Sequence, residues 1–414
     1  MRLPDLLYGL AFLAGLPLWF PRLLKREQRR HLLRRFAPAT TPIAAGCIWI
    51  HAVSVGEVRG ISDLIARVRD TFALPVVLTV TTLSGYNWAR KSLADVAVIP
   101  APIDFTWVIR RYLRCLAPRL LLLNELEVWP NWTRLAQQRG IPIVVANARM
   151  SAGAFRRYRR FRGLVRASFS RPHAWLAQSS AYMQRFVELG VAPDRIRVCG
   201  NIKADQALAA VEHLPSRDEI LAHLRAREPR KPLVVLSSTH DEDEARLLPA
   251  LAAMPIAPAV ILVPRHPGRV AAICRRLEKL DLPFAVWSHA SAVDLDRGIL
   301  VYDRIGYLLP LMSIADQVFM GGTFSPHTGG HNLYEPAALG RPIWGGPEFS
   351  NFPEISRALL NAGAYRMVTD DAGVAGALAL AADPATGARA RAVVEAMRGT
   401  TARILAEIEK WLDS

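Results

Sequence analysis

A chain of 414 residues, 51% hydrophobic and 21% charged, is too long for one ordinary core and too apolar to be disordered, so two folded domains are expected. The excess of 52 Lys and Arg over 36 Asp and Glu gives a charge of +16 and calls for a polyanionic partner, for which nucleic acid, anionic lipid headgroups and phosphorylated substrates all qualify. Cys47, Cys115, Cys199 and Cys274 stand far apart with no CxxC pair, which speaks against structural zinc and a disulfide framework and for buried thiols in a reducing compartment.

Residues 3–20, LPDLLYGLAFLAGLPLWF, form an apolar run broken only by Asp5 and two prolines. As a helix it reaches about 27 Å, barely the length of a span. Arg22, Lys25, Arg26, Arg29, Arg30, Arg34 and Arg35 follow it, opposed by Glu27 alone, which puts this flank on the cytoplasmic side. A cleaved signal peptide has the reverse order. Residues 1–35 therefore read as an uncleaved interfacial or spanning anchor helix with a basic flank, the alternative being a buried first helix of the next domain.

From Cys47 onward, short β-rich runs alternate with helical stretches: CIWIHAV, PVVLTVTT, VAVIPA, LLLLNE, PIVVANAR, AWLAQS and IRVCG. That rhythm predicts parallel βαβ units over residues 36–205. Within them, residues 155–171, FRRYRRFRGLVRASFSR, predict a helix with arginines around an aromatic stripe. A solvated surface, an RNA-binding helix and a site for an anionic membrane or a lipid acceptor's phosphates all fit it, and the anchor at the amino terminus favours the last over nucleic acid. After a mixed-charge stretch the rhythm restarts with LVVLSST, AVILVPR, FAVWS, ILVYD, QVFMGG and RPIWGG, a second domain over residues 206–414. The fold class is α/β, two Rossmann-like domains facing a cleft, with ligands beyond the carboxyl ends of the strands.

Neither half carries GxGxxG after its first strand or a P-loop. In MGGTFSPHTGGHNLYEP, by contrast, glycine-rich backbone around Gly322 and Thr323 precedes a helix start, where exposed N–H groups suit a phosphate and Glu335 can accept from ribose hydroxyls. The same glycines could simply shape a turn. His51, His240, His266, His327 and His331 follow no HExxH spacing, and Asp294 and Asp296 occupy a turn, so no metal is expected and the histidines read as packing or substrate-bonding groups.

HAVSVGE, TTLSGY, NELEVWPNW, ANARMS, GNIKAD, SSTHDEDE, VPRHPGR and GGHNLYEP, in that order along nearly the whole chain, resemble the pattern of the Kdo transferases of lipopolysaccharide inner-core synthesis. The resemblance implies a GT-B fold, CMP-Kdo as donor, a lipid A precursor (lipid IVA) as acceptor at the cytoplasmic face of the inner membrane with its anionic lipids, and neither metal nor cofactor. It puts the general base of an inverting transfer on Glu57 and transition-state stabilisers on Glu125, Glu127 and Lys203. Donor contacts fall on Pro264, Arg265 and His266, on Ile305, Gly306 and Tyr307, on Gly322 and Thr323, and on Asn332, Leu333, Tyr334 and Glu335. The chain departs from the family where YDRIGYL replaces GDTMGEL, exchanging a carboxylate for Tyr307, and where the glycine loop is one residue longer. A transferase using another donor such as a UDP-sugar, and a non-catalytic membrane protein binding anionic glycolipids, remain as alternatives.

Overall fold

The protein is described by a computed structural model covering Asp5, residues 25–37 and residues 45–412. The apolar segment proposed as an anchor thus lies outside the described residues, Asp5 excepted, and among the described residues no helix is long and apolar enough to cross a membrane. Asp5 is docked: its carboxylate accepts from the Thr106 N–H at 2.8 Å, the Thr106 hydroxyl at 2.7 Å and the Asn131 amide at 3.2 Å. The basic flank forms the helix Arg26–Arg34, tied down by the His31 ring against Thr81 O at 3.0 Å and by Arg35 to Ala101 O at 2.9 Å.

The chain divides into two compact units, residues 1–202 with 399–414, and residues 203–398. Unit one holds seven strands, β1 (Ile48–Ala52), β2 (Val76–Val80), β3 (Ala97–Pro100), β4 (Leu120–Asn124), β5 (Ile143–Ala148), β6 (Ala174–Ala177) and β7 (Ile196–Val198), in the order β3-β2-β1-β4-β5-β6-β7. Every pairing is parallel, Ile48 lying opposite both Val76 and Leu120. Alternate residues point to opposite faces, so a sheet covered by helices on both sides needs continuous apolar runs. Trp49, Val77, Leu121 and Leu123 join Tyr112 and Trp132 in one core, while Ile50, Leu78 and Leu122 join Val58, Ile61 and Ile65 in the other.

Unit two repeats the plan with β8 (Leu233–Thr239), β9 (Ala259–Pro264), β10 (Phe284–Val286), β11 (Ile299–Val301), β12 (Gln317–Met320), β13 (Ile343–Gly345) and β14 (Tyr365–Met367), in the order β10-β11-β9-β8-β12-β13-β14. The sequence rhythm does not announce β14, a three-residue strand with Arg366 and Met367 exposed. Two other elements also differ from the sequence reading. The basic helix is two helices, Ala152–Arg160 and Arg162–Phe169, separated by Phe161. The final helix, Thr400–Leu412, which the rhythm assigns to the second half, packs Ile404, Ile408 and Leu412 into the first unit's core. Among the cysteines, Cys47 and Cys199 are buried and burial pushes their thiols up to about 11, but Cys115 is exposed on the helix Thr106–Leu116 and Cys274 only half-buried, correcting the reading of all four as core thiols.

Candidate functional site

In the first unit the polar residues gather at the carboxyl ends of β1, β4 and β5. Ser54 caps the helix Val55–Phe72, its hydroxyl accepting from the Glu57 N–H at 3.4 Å, and the apolar spacing Val58, Ile61, Ile65, Val68 seats that helix on the sheet. The cap folds Glu57 back over the strand end, where Oε2 accepts from the Val53 N–H at 3.0 Å and the Asn124 amide at 3.3 Å. The Ser54 hydroxyl stands 3.4 Å from Oε1. Burial raises the Glu57 pKa above the usual carboxylate range, the charges of Glu125 and Glu127 add to the rise, and the Val53 N–H and Asn124 oppose it.

Glu125 and Glu127 have different partners. Glu125, in the left-handed region at φ +59°, pairs with Arg149 Nε at 2.9 Å. Glu127 Oε2 accepts from the Trp129 indole at 2.8 Å and lies 3.8 Å from His51 Nε2. The His51 Nδ1 donates to Thr79 O at 3.1 Å, so Nε2 is the atom aimed at the carboxylate. Burial pushes the Glu127 carboxyl up, but His51 and Trp129 outweigh it and hold the group below its ordinary value. His51 Nε2 and Asn124 Oδ1 are buried with no hydrogen-bond partner. Both residues follow predicted strands in the sequence, but their roles come from neighbours on other strands, His51 beside Glu127 and Asn124 on Glu57. A further polar ladder runs along the same edge, Asn201 donating to Gln178 at 3.1 Å and Gln178 to the Asn147 side chain at 2.9 Å.

The second unit builds its site at the carboxyl ends of β8, β9 and β12. β8 and β9 slip register between Ser237 and Thr239, where Ser238 takes φ +53°, and a Cβ on Gly321 would overlap the Ser237 and Ser238 carbonyls. Glycine is therefore required where the loop leaves β12. The Gly322 N–H donates to Asp243 Oδ2 at 2.7 Å, and the Thr323 hydroxyl donates to Met320 O at 2.7 Å while accepting from the Gly346 N–H at 2.8 Å. These two groups hold the loop in shape. Leu333 and Tyr334 are buried in the core beneath it, and Asn332 donates to Glu335 Oε1 at 2.8 Å. Glu335 is raised above its ordinary value by burial, against which Asn332 and the Lys203 charge act. Lys203 Nζ lies 4.5 Å over the Phe352 ring.

Pro264 closes β9 and Arg265 and His266 follow, exposed. His266 approaches His240 edge-on at 5.9 Å, and His240 Nε2 lies 2.8 Å from His331 Nε2. Asp243 accepts also from the His240 N–H at 2.8 Å, its other oxygen is buried without a partner, and burial raises its carboxyl to about 6. Asp243 is thus built into the glycine loop's support, which the sequence does not signal. Ile305 is 79% exposed and Gly306 has φ +99°, while the Tyr307 ring stacks on His223 at 3.9 Å and neighbours Tyr302 at 6.2 Å. Those contacts join Tyr307 to an aromatic cluster with His223 and Tyr302. Among the described residues no three His, Cys, Asp or Glu side chains are grouped as metal ligands. Asp296 accepts from the Arg230 and Lys231 N–H groups at 2.9 and 3.1 Å, a loop tie.

A family model described as 3-deoxy-D-manno-octulosonic-acid transferase (kdotransferase) matches residues 25–206. The 3-deoxy-D-manno-octulosonic acid transferase of Chlamydophila psittaci is 31% identical over 364 residues, 86% of this chain and 82% of that protein. The protein of the same name from Bordetella pertussis is 31% identical over 397 residues, 92% of this chain and 90% of its own length. Among solved structures, a glycosyltransferase from Rickettsia africae aligns over 89% of this chain and 98% of its own, at 12% identity and a TM-score of 0.59, a likeness of fold.

Proposed function

The chain belongs to the 3-deoxy-D-manno-octulosonic-acid (Kdo) transferase family and is a glycosyltransferase, and from that premise we propose that it transfers Kdo from CMP-Kdo to a lipid A precursor with inversion at the anomeric carbon. Glu57 carries the reading. A half-buried carboxylate with a raised proton affinity, oriented by Val53 and Asn124 and crowded by two further carboxylates, is suited to take the proton of an acceptor hydroxyl. In this reading the two units are the halves of a GT-B enzyme, the second holding the nucleotide: Glu335 accepts from the ribose hydroxyls, while Arg265 and Lys203 counter the phosphate without a divalent cation. Residues 152–169 support work at the cytoplasmic face of the inner membrane. They expose Arg156, Arg157, Arg159, Arg160, Arg162 and Arg166 around Phe161 and Leu164, which are 51% and 70% exposed.

The test is Glu57→Gln, assayed with CMP-Kdo and a tetra-acylated lipid A precursor by mass spectrometry of the product. Glutamine keeps the volume and accepts from Val53 but cannot take a proton, so turnover falls by about 10² to 10⁴. Because Glu57 belongs to the first unit and the nucleotide residues to the second, CMP affinity stays within a few-fold of wild type, and CMP binds in preference to UDP. Normal turnover in the variant would sink the assignment. An equal loss of donor binding would move the base to Glu125 or Glu127.

A further inference from the structure

His240 and His331 stand among the donor-site residues, yet the chemistry above leaves both unused. Their Nε2 atoms are 2.8 Å apart, the ring planes differ by 13° and the centroids are 5.1 Å apart. Nearly coplanar rings that meet nitrogen to nitrogen are joined end to end by a single N–H···N bond, so one Nε2 carries the proton and the other the lone pair. Such a pair can accept one more proton, on an outer Nδ1, and keep its central bond. It cannot accept a second without destroying that bond.

The surroundings decide when the first is accepted. The groups facing the pair are Arg265 and His266 after β9, Arg269 on the following turn, Lys203 on the helix Lys203–Val211, and Glu242 and Asp243 on the helix Asp241–Ala252. Cations predominate, and burial together with those charges holds His331 down to about 4. An anion placed beside Arg265 reverses that balance.

In the proposed reaction the acceptor hydroxyl gives its proton to Glu57 as its oxygen forms a bond to the anomeric carbon. The bond from the anomeric carbon to the phosphate oxygen breaks, with its electron pair passing to that oxygen, and a phosphodiester monoanion becomes a phosphomonoester dianion. We infer that the His240–His331 pair is a one-proton store for the leaving group, taking up one proton from solvent as the dianion occupies the site, so that an imidazolium and the Arg265 fork face it together. The inference rests on the donor reading and adds to it two residues and a proton.

The experiment is isothermal titration of the full chain with CMP at pH 8, where the free nucleotide is already a dianion, in buffers of different ionisation enthalpy, with cytidine as control. CMP binding takes up on the order of one proton and cytidine binding takes up none. His331→Asn and His240→Gln each abolish the uptake and weaken CMP about tenfold, leaving cytidine affinity unchanged. CMP binding to wild type without uptake, or full uptake persisting in both variants, overturns the inference alone. Failure of wild type to bind CMP overturns the donor reading and the inference with it. Should the variants not fold, ¹⁵N-histidine spectra of wild type decide the matter: with CMP bound at pH 8, one of these two rings reports an imidazolium, and two neutral rings refute the store.

Discussion

Asp243 offers a quantitative check on how the glycine loop is held. Its carboxylate is buried, accepts from His240 and Gly322, and leaves one oxygen without a partner. The rise from 3.8 to about 6 means that folding disfavours the ionised form by about 3 kcal/mol. The sign follows from proton binding. Between pH 3.8 and 6 the unfolded chain gives up this proton while the folded one keeps it, so stability is lost as pH rises through that window and is constant above it. His331 works in the opposite sense. With its pKa lowered from 6.5 to about 4, the unfolded chain gains a proton that the folded one refuses, and about 3 kcal/mol is lost as pH falls through that range. In wild type the two slopes nearly cancel. Asp243→Asn keeps an oxygen for both N–H groups and removes the titration, so it exposes the histidine slope. By urea unfolding followed through tryptophan fluorescence, the variant is more stable than wild type by about 3 kcal/mol at pH 8, and the gap shrinks to about half by pH 5. A gap of constant size across pH, or a variant less stable at pH 8, would show that the charge itself is needed to hold the loop, and the reasoning would fail.

Glu335→Gln removes a charge-assisted acceptor and lowers CMP affinity ten- to a hundredfold, about 1.5 to 3 kcal/mol, by calorimetry; an unchanged affinity would put the nucleotide elsewhere. Gly321→Ala drives a methyl into the Ser237 and Ser238 carbonyls and costs about 1 to 3 kcal/mol in urea unfolding, together with weakened CMP binding; wild-type behaviour in both would mean the loop leaves β12 differently. Replacing Arg156 and Arg160 by Glu lowers cosedimentation with anionic vesicles and leaves the weak binding to neutral ones unaltered, and equal loss on both would refute an electrostatic contact.

The thirteen strands legible in the sequence are those whose apolar runs end at glycine, proline or small polar residues. β14 escapes because Tyr365 alone of its three residues is buried, so there is no alternation to see. The single basic helix is legible as helical, but its interruption at Phe161 depends on how Phe155, Tyr158 and Val165 meet the core. Glu57, Glu335 and the glycine loop stand out because a strand end, a cap and a helix start are local features. What separates Glu125 from Glu127 is not local, since Arg149 and His51 reach them only through the order of β1, β4 and β5. The pairing of His240 with His331 is hidden for the same reason, the two being 91 positions apart in the chain.

The return of the helix Thr400–Leu412 to the first unit has a consequence for biogenesis. The polypeptide leaves that unit after residue 202 and re-enters it at 399, so the first unit cannot complete its core while its own amino-terminal portion is all that has emerged from the ribosome. Vectorial synthesis usually lets the leading domain fold first. Here residues 203–398 emerge, and can close their own sheet, before Ile404, Ile408 and Leu412 arrive to cover the apolar face of β1, β2 and β4. Until then that face awaits its last helix, and a nascent chain stalled short of residue 400 would present it to chaperones or to other chains.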